Sequence, residues 1–278
     1  MNASDTEVTG HYVTIDGTRT FYDACGTQGP PILCLHPAGT SSMQFYDFIQ
    51  AISRRGFRAV AIDLPGHGKS YPKDWEPIRS IPEYAAFVRR FLHEVFPGER
   101  VIVCGAAIGG AIALELAATH SEDLLAAVAM ETTAKPEGEQ FTQFCLWWEN
   151  PHAMPSWRDL SERVAMSGIY GLTGDRLKEF RWQHRYSAQE VSTADLLCWA
   201  RHDVRDRLGS IACPVLMVKG EADYWVPESG LDAIVAAVPH GLAEKLIVPK
   251  MGHYPMIEDP DGLATLLLDF LTRSLSRR

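Results

Sequence analysis

The sequence predicts an α/β fold: a mostly parallel sheet with helices on both faces, interrupted once by an inserted helical block. Three observations carry this. Short apolar runs alternate with stretches of helical spacing from Ile32 to Met130 and again from Val215 to Leu275, and such alternation implies a parallel sheet covered on both faces. Strand signals vanish between about Lys135 and Leu208, where helical, aromatic and arginine-rich sequence takes over. Val101 to Ala118 (VIVCGAAIGGAIALELAA) then passes from strand to helix within a few residues, with Gly105, Gly109 and Gly110 at the bend. The expected units are a core of 1–134 with 209–278, and an insertion of 135–208.

The elements follow in order. Tyr12–Ile15 and Thr20–Tyr22 flank Asp16-Gly17, a hairpin signal. Ile32–Leu35 is an apolar buried strand. A helix is expected over Ser42–Arg54, closed by Gly56. Phe57–Ile62 is the next strand, and Pro82–Val95 a helix leading into the strand at Val101. Beyond the bend, Ala111, Leu114, Glu115 and Ala118 have helical spacing. Leu124–Met130 is a strand. After the insertion come a strand at Val215–Val218, a helix at Glu228–Val238, a strand at Leu246–Val248 and a closing helix at Asp261–Leu275. No internal repeat or low-complexity tract is present.

The bulk numbers narrow the classes. A chain of 278 residues, 46% hydrophobic and 22% charged, has ample apolar material for one large core. A net charge of -9 without a Lys/Arg run provides no electrostatic footprint for nucleic acid. The six cysteines (Cys25, Cys34, Cys104, Cys145, Cys198, Cys213) are scattered with no C-x-x-C pair, and several lie inside apolar runs. Buried free thiols in a reducing compartment are expected. The polar opening Met1–Asp5 has no basic n-region or apolar h-region, and no run approaches the ~18 apolar residues of a membrane span. The expectation is a cytoplasmic protein with a small-molecule substrate and no membrane or nucleic-acid partner. The oligomeric state is left open, with a homodimer among the options.

The bend at Gly105-Ala106-Ala107-Ile108-Gly109 has the spacing of a nucleophile elbow, G-x-S-x-G, in which the middle side chain projects from a strained turn at the top of the sheet. The middle residue is Ala107, and a methyl group cannot attack anything. The elbow doubles as a degraded dinucleotide fingerprint, Gly105-x-Ala107-x-x-Gly110 with Glu131 as the ribose acid. Alanine at its middle position limits backbone approach to a pyrophosphate. Gly66-His67-Gly68-Lys69-Ser70 ends like a phosphate-binding loop, but the first glycine that loop requires is replaced by Asp63. No cofactor is implied. The ten histidines show no H-x-H or H-E-x-x-H spacing, so no metal site is expected.

Four segments together resemble the α/β-hydrolase family: LHPAG at Leu35–Gly39, DLPGHGKS at Asp63–Ser70, the elbow at Gly105, and GEAD (Gly220–Asp223) with MGHYP (Met251–Pro255). The resemblance covers the chain except the insertion, which corresponds to the family's variable cap. The family's order of nucleophile, acid and histidine falls on Ala107, Asp223 and His253. His253 lies in a Gly-His turn after a strand, placed to act as general base. Asp223 lies just past a strand, placed to accept from the imidazole and fix its tautomer. Glu131, at the end of the strand after the elbow, is a second candidate acid. The oxyanion-hole amides implied are those of Ile108 and Ala38, the latter in a loop where Pro37 stands in place of a common glycine.

The resemblance implies a hydrolase of an ester or lactone, with this chain inactive because of Ala107. Position 107 admits three readings. Serine is the natural residue and alanine a deliberate inactivation; or alanine is natural and His253 abstracts a proton in a lyase, cyclase or cofactor-free oxygenation; or the chain is a binding protein without turnover. A carbon–carbon bond hydrolase would use the same triad. Five of the seven tryptophans lie in the insertion, including Trp147, Trp148 and Trp182. Flat rings over the site predict an apolar, ring-containing substrate. The eight arginines named by the same block, Arg158 to Arg207, are expected mainly on a solvated face, with an inward one able to meet a substrate carboxylate.

Overall fold

The computed structural model describes residues 7–136, 157–239 and 241–276. Eight strands form one sheet: β1 (Thr9–Ile15), β2 (Thr18–Cys25), β3 (Pro31–Leu35), β4 (Arg58–Ile62), β5 (Val101–Ala106), β6 (Leu124–Met130), β7 (Val215–Gly220) and β8 (Ala243–Val248). Their spatial order is β1-β2-β4-β3-β5-β6-β7-β8. Among the described residues only the β1–β2 and β2–β4 pairings are antiparallel, and the other strand pairings are parallel. Asp16 (φ 48°) and Gly17 (φ 78°) close the β1–β2 hairpin, the two consecutive positive φ angles of a type I′ turn.

Among the described residues the α-helices are α1 (Tyr46–Ser53), α2 (Ile81–Val95), α3 (Ile108–Thr119), α4 (Trp157–Ser167), α5 (Gly174–Arg185), α6 (Gln189–Arg201), α7 (Glu228–Ala237), α8 (Pro255–Glu258) and α9 (Pro260–Leu275). The period of two along each strand sorts the core. Leu33, Leu35, Val103 and Ala127 pack with α2 and α3, while Ile32, Cys34, Ile102 and Ala126 pack with Phe48 and Ile49 of α1 and Leu267 and Phe270 of α9. Strands buried on both faces read as unbroken apolar runs, as ILCL does. Ser80 caps α2 by accepting from the Glu83 amide at 3.3 Å, and Asp259 caps α9 by accepting from the Gly262 amide at 2.9 Å.

The cap is inserted between β6 and β7 and carries α4, α5 and α6 among the described residues. Glu162 of α4 pairs with Arg181 and Arg185 of α5. Three elements depart from the sequence reading. Ser42–Phe45 is a 3-10 turn preceding α1, because the Ser42 amide donates to Asp63 Oδ1 (2.8 Å) and its hydroxyl to Asp23 (2.7 Å), which pins the first turn. β8 begins earlier than expected, at Ala243, which pairs with Val215. The short helix α8 went unseen. The five described cysteines are buried; Cys145 lies outside the described residues. No helix among the described residues is long and apolar enough to cross a membrane.

Candidate active site

The parallel strands deliver their C-terminal ends to one edge of the sheet, where ligands of open α/β sheets bind. Register sets what meets there. Leu35 pairs with Gly105, Ala106 with Met130, and Met130 with Val218. The loop carrying Ala38, the elbow at Ala107, Glu131 and the loop carrying Asp223 therefore leave the sheet side by side. The His253 loop joins them through the Ala222 amide, which donates to Met251 O at 2.9 Å.

The elbow is built for close approach. A Cβ on Gly105 would stand 2.1 Å from Gly109 O, and one on Gly109 would stand 2.1 Å from Leu35 O. Glycine at both positions lets α3 fold back against the ends of β3 and β5. Ala107 sits at φ 51°, ψ −113°, a region that L-residues rarely enter. Its amide donates to Met130 O at 3.0 Å, which helps hold it there. Ala106 and Ile108 are buried on either side, while Ala107 is partly accessible. Ile108 opens α3, so its N–H is one of those the helix leaves without an intrahelical partner, at the positive end of the macrodipole.

His253 Nδ1 lies 2.8 Å from Asp223 Oδ2, with both side chains buried. Asp223 Oδ1 accepts from the Trp225 amide at 2.8 Å. The Trp225 ring stands edge-on to the imidazole, 4.6 Å between centroids. Burial alone would raise the Asp223 carboxyl, but the hydrogen bond and charge of His253 hold it well below the ordinary carboxylate range. Glu131 is fully buried and also at positive φ (52°). Its Oε1 accepts from the Gly220 amide at 2.6 Å, while burial and the neighbouring Asp223 push its carboxyl well up. One ligand atom each from Glu131, Asp223 and His253 lie within 4.8 Å of one another. A divalent ion could enter only by displacing the His253–Asp223 bond and the Glu131 proton, so this set is a poor host for one.

The structure joins His253 to Asp223 directly, and the Ala107 elbow and the Ala38 loop leave adjacent strands at the same edge of the sheet. The imidazole's hydrogen bond goes to Asp223, while Glu131 accepts from the Gly220 amide. Trp147 and Trp148 lie outside the described residues. Trp182, on α5, is 66% exposed. Several cap arginines are paired: Arg181 and Arg185 with Glu162, and Arg176 with Asp47 and with Ile257 O. Arg205 pairs with Asp203 and Arg207 with Glu115. Sequence reasoning missed Trp225, although its position two residues beyond Asp223 was a usable signal. It also missed Asp195 of the cap, which no local pattern marks.

Residues 32–266 match the alpha/beta hydrolase family. A pimeloyl-[acyl-carrier protein] methyl ester esterase of Aeromonas hydrophila is 25% identical over 253 residues, 88% of this chain and 96% of that protein. The enol-lactonase of Burkholderia xenovorans LB400 superposes with a TM-score of 0.80 at 20% identity, over 94% of this chain and 100% of that one. A thermophilic esterase from Thermogutta terrifontis does so at 0.80 and 18%, over 96% and 99%. With the sheet order, the elbow and the matched span in agreement, this chain belongs to the alpha/beta hydrolase family.

Proposed function

We propose that the site is that of a carboxylic-ester hydrolase acting on an ester or lactone of a small apolar, ring-containing molecule. In this reading serine at position 107 supplies the nucleophile, and Ala107 leaves the chain able to bind but not to form the acyl-enzyme. The observation that carries the reading is the buried His253–Asp223 hydrogen bond of 2.8 Å, held on loops beside an elbow whose middle residue keeps the strained φ of 51°. That the sequence relatives cleave a methyl ester supports the ester type.

The chemistry follows from the geometry. A serine hydroxyl at position 107 attacks the carbonyl carbon as His253 Nε2 takes its proton. Asp223, accepting from Nδ1–H, fixes the tautomer and stabilises the imidazolium. The amides of Ile108 and Ala38 receive the developing oxyanion. The imidazolium returns the proton to the leaving alcohol, and water activated by His253 hydrolyses the acyl-enzyme. The cap, expected over 135–208, supplies the roof.

The test is Ala107→Ser, assayed with p-nitrophenyl acetate. Ester turnover that rises well above that of the alanine form is expected; no rise with the fold intact removes the reading. A second reading rests on the His253–Asp223 pair being complete in a chain with alanine at position 107. With alanine natural, His253 would abstract a substrate proton without covalent catalysis, and activity would reside in the alanine form itself. A panel of ring-fission products would separate carbon–carbon bond hydrolysis, which uses the same triad.

A further inference from the structure

Away from Ala107, one cap carboxylate gathers three separate segments of the core. Asp195 of α6 is fully buried. Its Oδ2 accepts from the Gly39 amide (3.0 Å) and from His67 Nε2 (2.7 Å), and its Oδ1 accepts from the Tyr84 hydroxyl (2.6 Å). Gly39 directly follows Ala38, His67 lies in the loop after β4, and Tyr84 lies in α2.

Hydrogen-bond roles give the protonation states. His67 Nδ1 is 3.1 Å from Pro65 O and Nε2 is 2.7 Å from Asp195 Oδ2. Both partners accept only, so both nitrogens donate, and a ring with two N–H groups is an imidazolium. His36, its ring tilted against that of His67 at 4.7 Å between centroids, resolves the other way. Its Nε2 accepts from the Leu64 amide (3.1 Å) while Nδ1 donates to Pro37 O (2.8 Å), so the ring is neutral. Burial and the charge on His67 hold His36 down at about 3. Burial works against charge on both His67 and Asp195, and each overrides it in the other: His67 is raised and Asp195 lowered.

A buried ion pair is weak evidence of net stability, because desolvation offsets its attraction. Three donors converging on one carboxylate do, however, fix position. We propose that Asp195 is a positioning residue: paired with the His67 imidazolium, it seats the cap and holds Gly39, and through it the Ala38 amide, in one buried clasp. The clasp loosens when His67 loses its proton. The charged and titratable groups facing it are His36, Asp63, Tyr84, Cys198 and Glu83. The structural part is independent of the proposed reaction; the catalytic consequence rests on it.

The experiment uses the whole chain. Nitrogen NMR of the unmodified protein at neutral pH is expected to show both His67 ring nitrogens protonated; a neutral His67 ring overturns the proposal. In Asp195→Asn the Gly39 amide is expected to exchange with solvent about tenfold faster while β5 amides keep their protection. Unchanged Gly39 protection overturns it. Should Asp195→Asn not fold, Gly39 exchange in the unmodified chain, corrected for intrinsic base catalysis, is followed through the His67 titration. A loss of protection that tracks His67 supports the clasp, and protection that ignores it overturns it. In an Ala107→Ser background, Asp195→Asn is expected to lower kcat about tenfold or more with a smaller change in KM, and to move the alkaline limb of kcat to lower pH. An unmoved limb overturns the catalytic part. An Ala107→Ser chain without ester turnover removes the hydrolase reading and leaves the exchange result standing.

Discussion

The Glu131 and Asp223 carboxyls meet beside His253, a ligand atom of each within 4.8 Å of the other, and two carboxyls buried this close do not both stay ionised. Glu131 holds the proton. Its Oε1 takes the Gly220 amide at 2.6 Å, Oε2 has no donor among the described residues, and burial pushes its carboxyl up while His253 holds Asp223 down. A neutral acid thus backs the carboxylate that faces the imidazole.

Variants in the Ala107→Ser background should separate the two acids. His253→Ala is expected to lower turnover on the order of 10³-fold or more, and Asp223→Asn by a similar or smaller factor. Glu131→Gln keeps an acceptor for the Gly220 amide and a donor for Asp223, so it should retain turnover within about tenfold. Steady-state kinetics decides; a dead Glu131→Gln beside a near-normal Asp223→Asn would reverse the assignment.

The same pair makes a prediction for stability. Glu131 is raised in the folded chain, so above the unfolded value of 4.5 the native state keeps a proton that the unfolded chain releases. Stability then falls as pH rises through that window, by up to about 1.4 kcal/mol per pH unit. Glu131→Gln removes this dependence. Its unfolding free energy relative to the parent should therefore increase between about pH 5 and about pH 8 in urea titrations. A pH-independent difference would contradict a protonated Glu131.

Ala107 pays in backbone strain for a position at φ 51°. Ala107→Gly should relieve it and stabilise the fold by about 1 kcal/mol, net of the greater freedom of glycine in the unfolded chain. Thermal unfolding measures this; a lower Tm would mean that the elbow is relaxed.

If the cap roofs position 107 with aromatic rings, esters with aromatic bodies should quench tryptophan fluorescence of the alanine form at lower concentration than short aliphatic esters. Equal titration curves for the two classes would remove the aromatic pocket from the proposal.

Local patterns in the chain are enough to predict the parallel sheet. Asp16-Gly17 marks its hairpin, LLAAVAM is the whole of β6, and the glycines around Ala107 mark the strand-to-helix reversal. Each depends on neighbours in sequence, through period, turn chemistry or the need for a missing Cβ. Asp223 and His253 were legible because their motifs sit just past strands that the alternation had already placed. The preference for Asp223 over Glu131 rested on the family's order alone, since both follow strands of the same sheet edge. Only the path of the two loops puts Asp223 on Nδ1 and turns Glu131 toward Gly220. The Asp195–His67 pair joins residues 128 positions apart, and no periodicity reaches that far. Long-range hydrogen bonds and desolvation exist only once the cap has closed on the core, so the charges they impose are decided by tertiary structure alone.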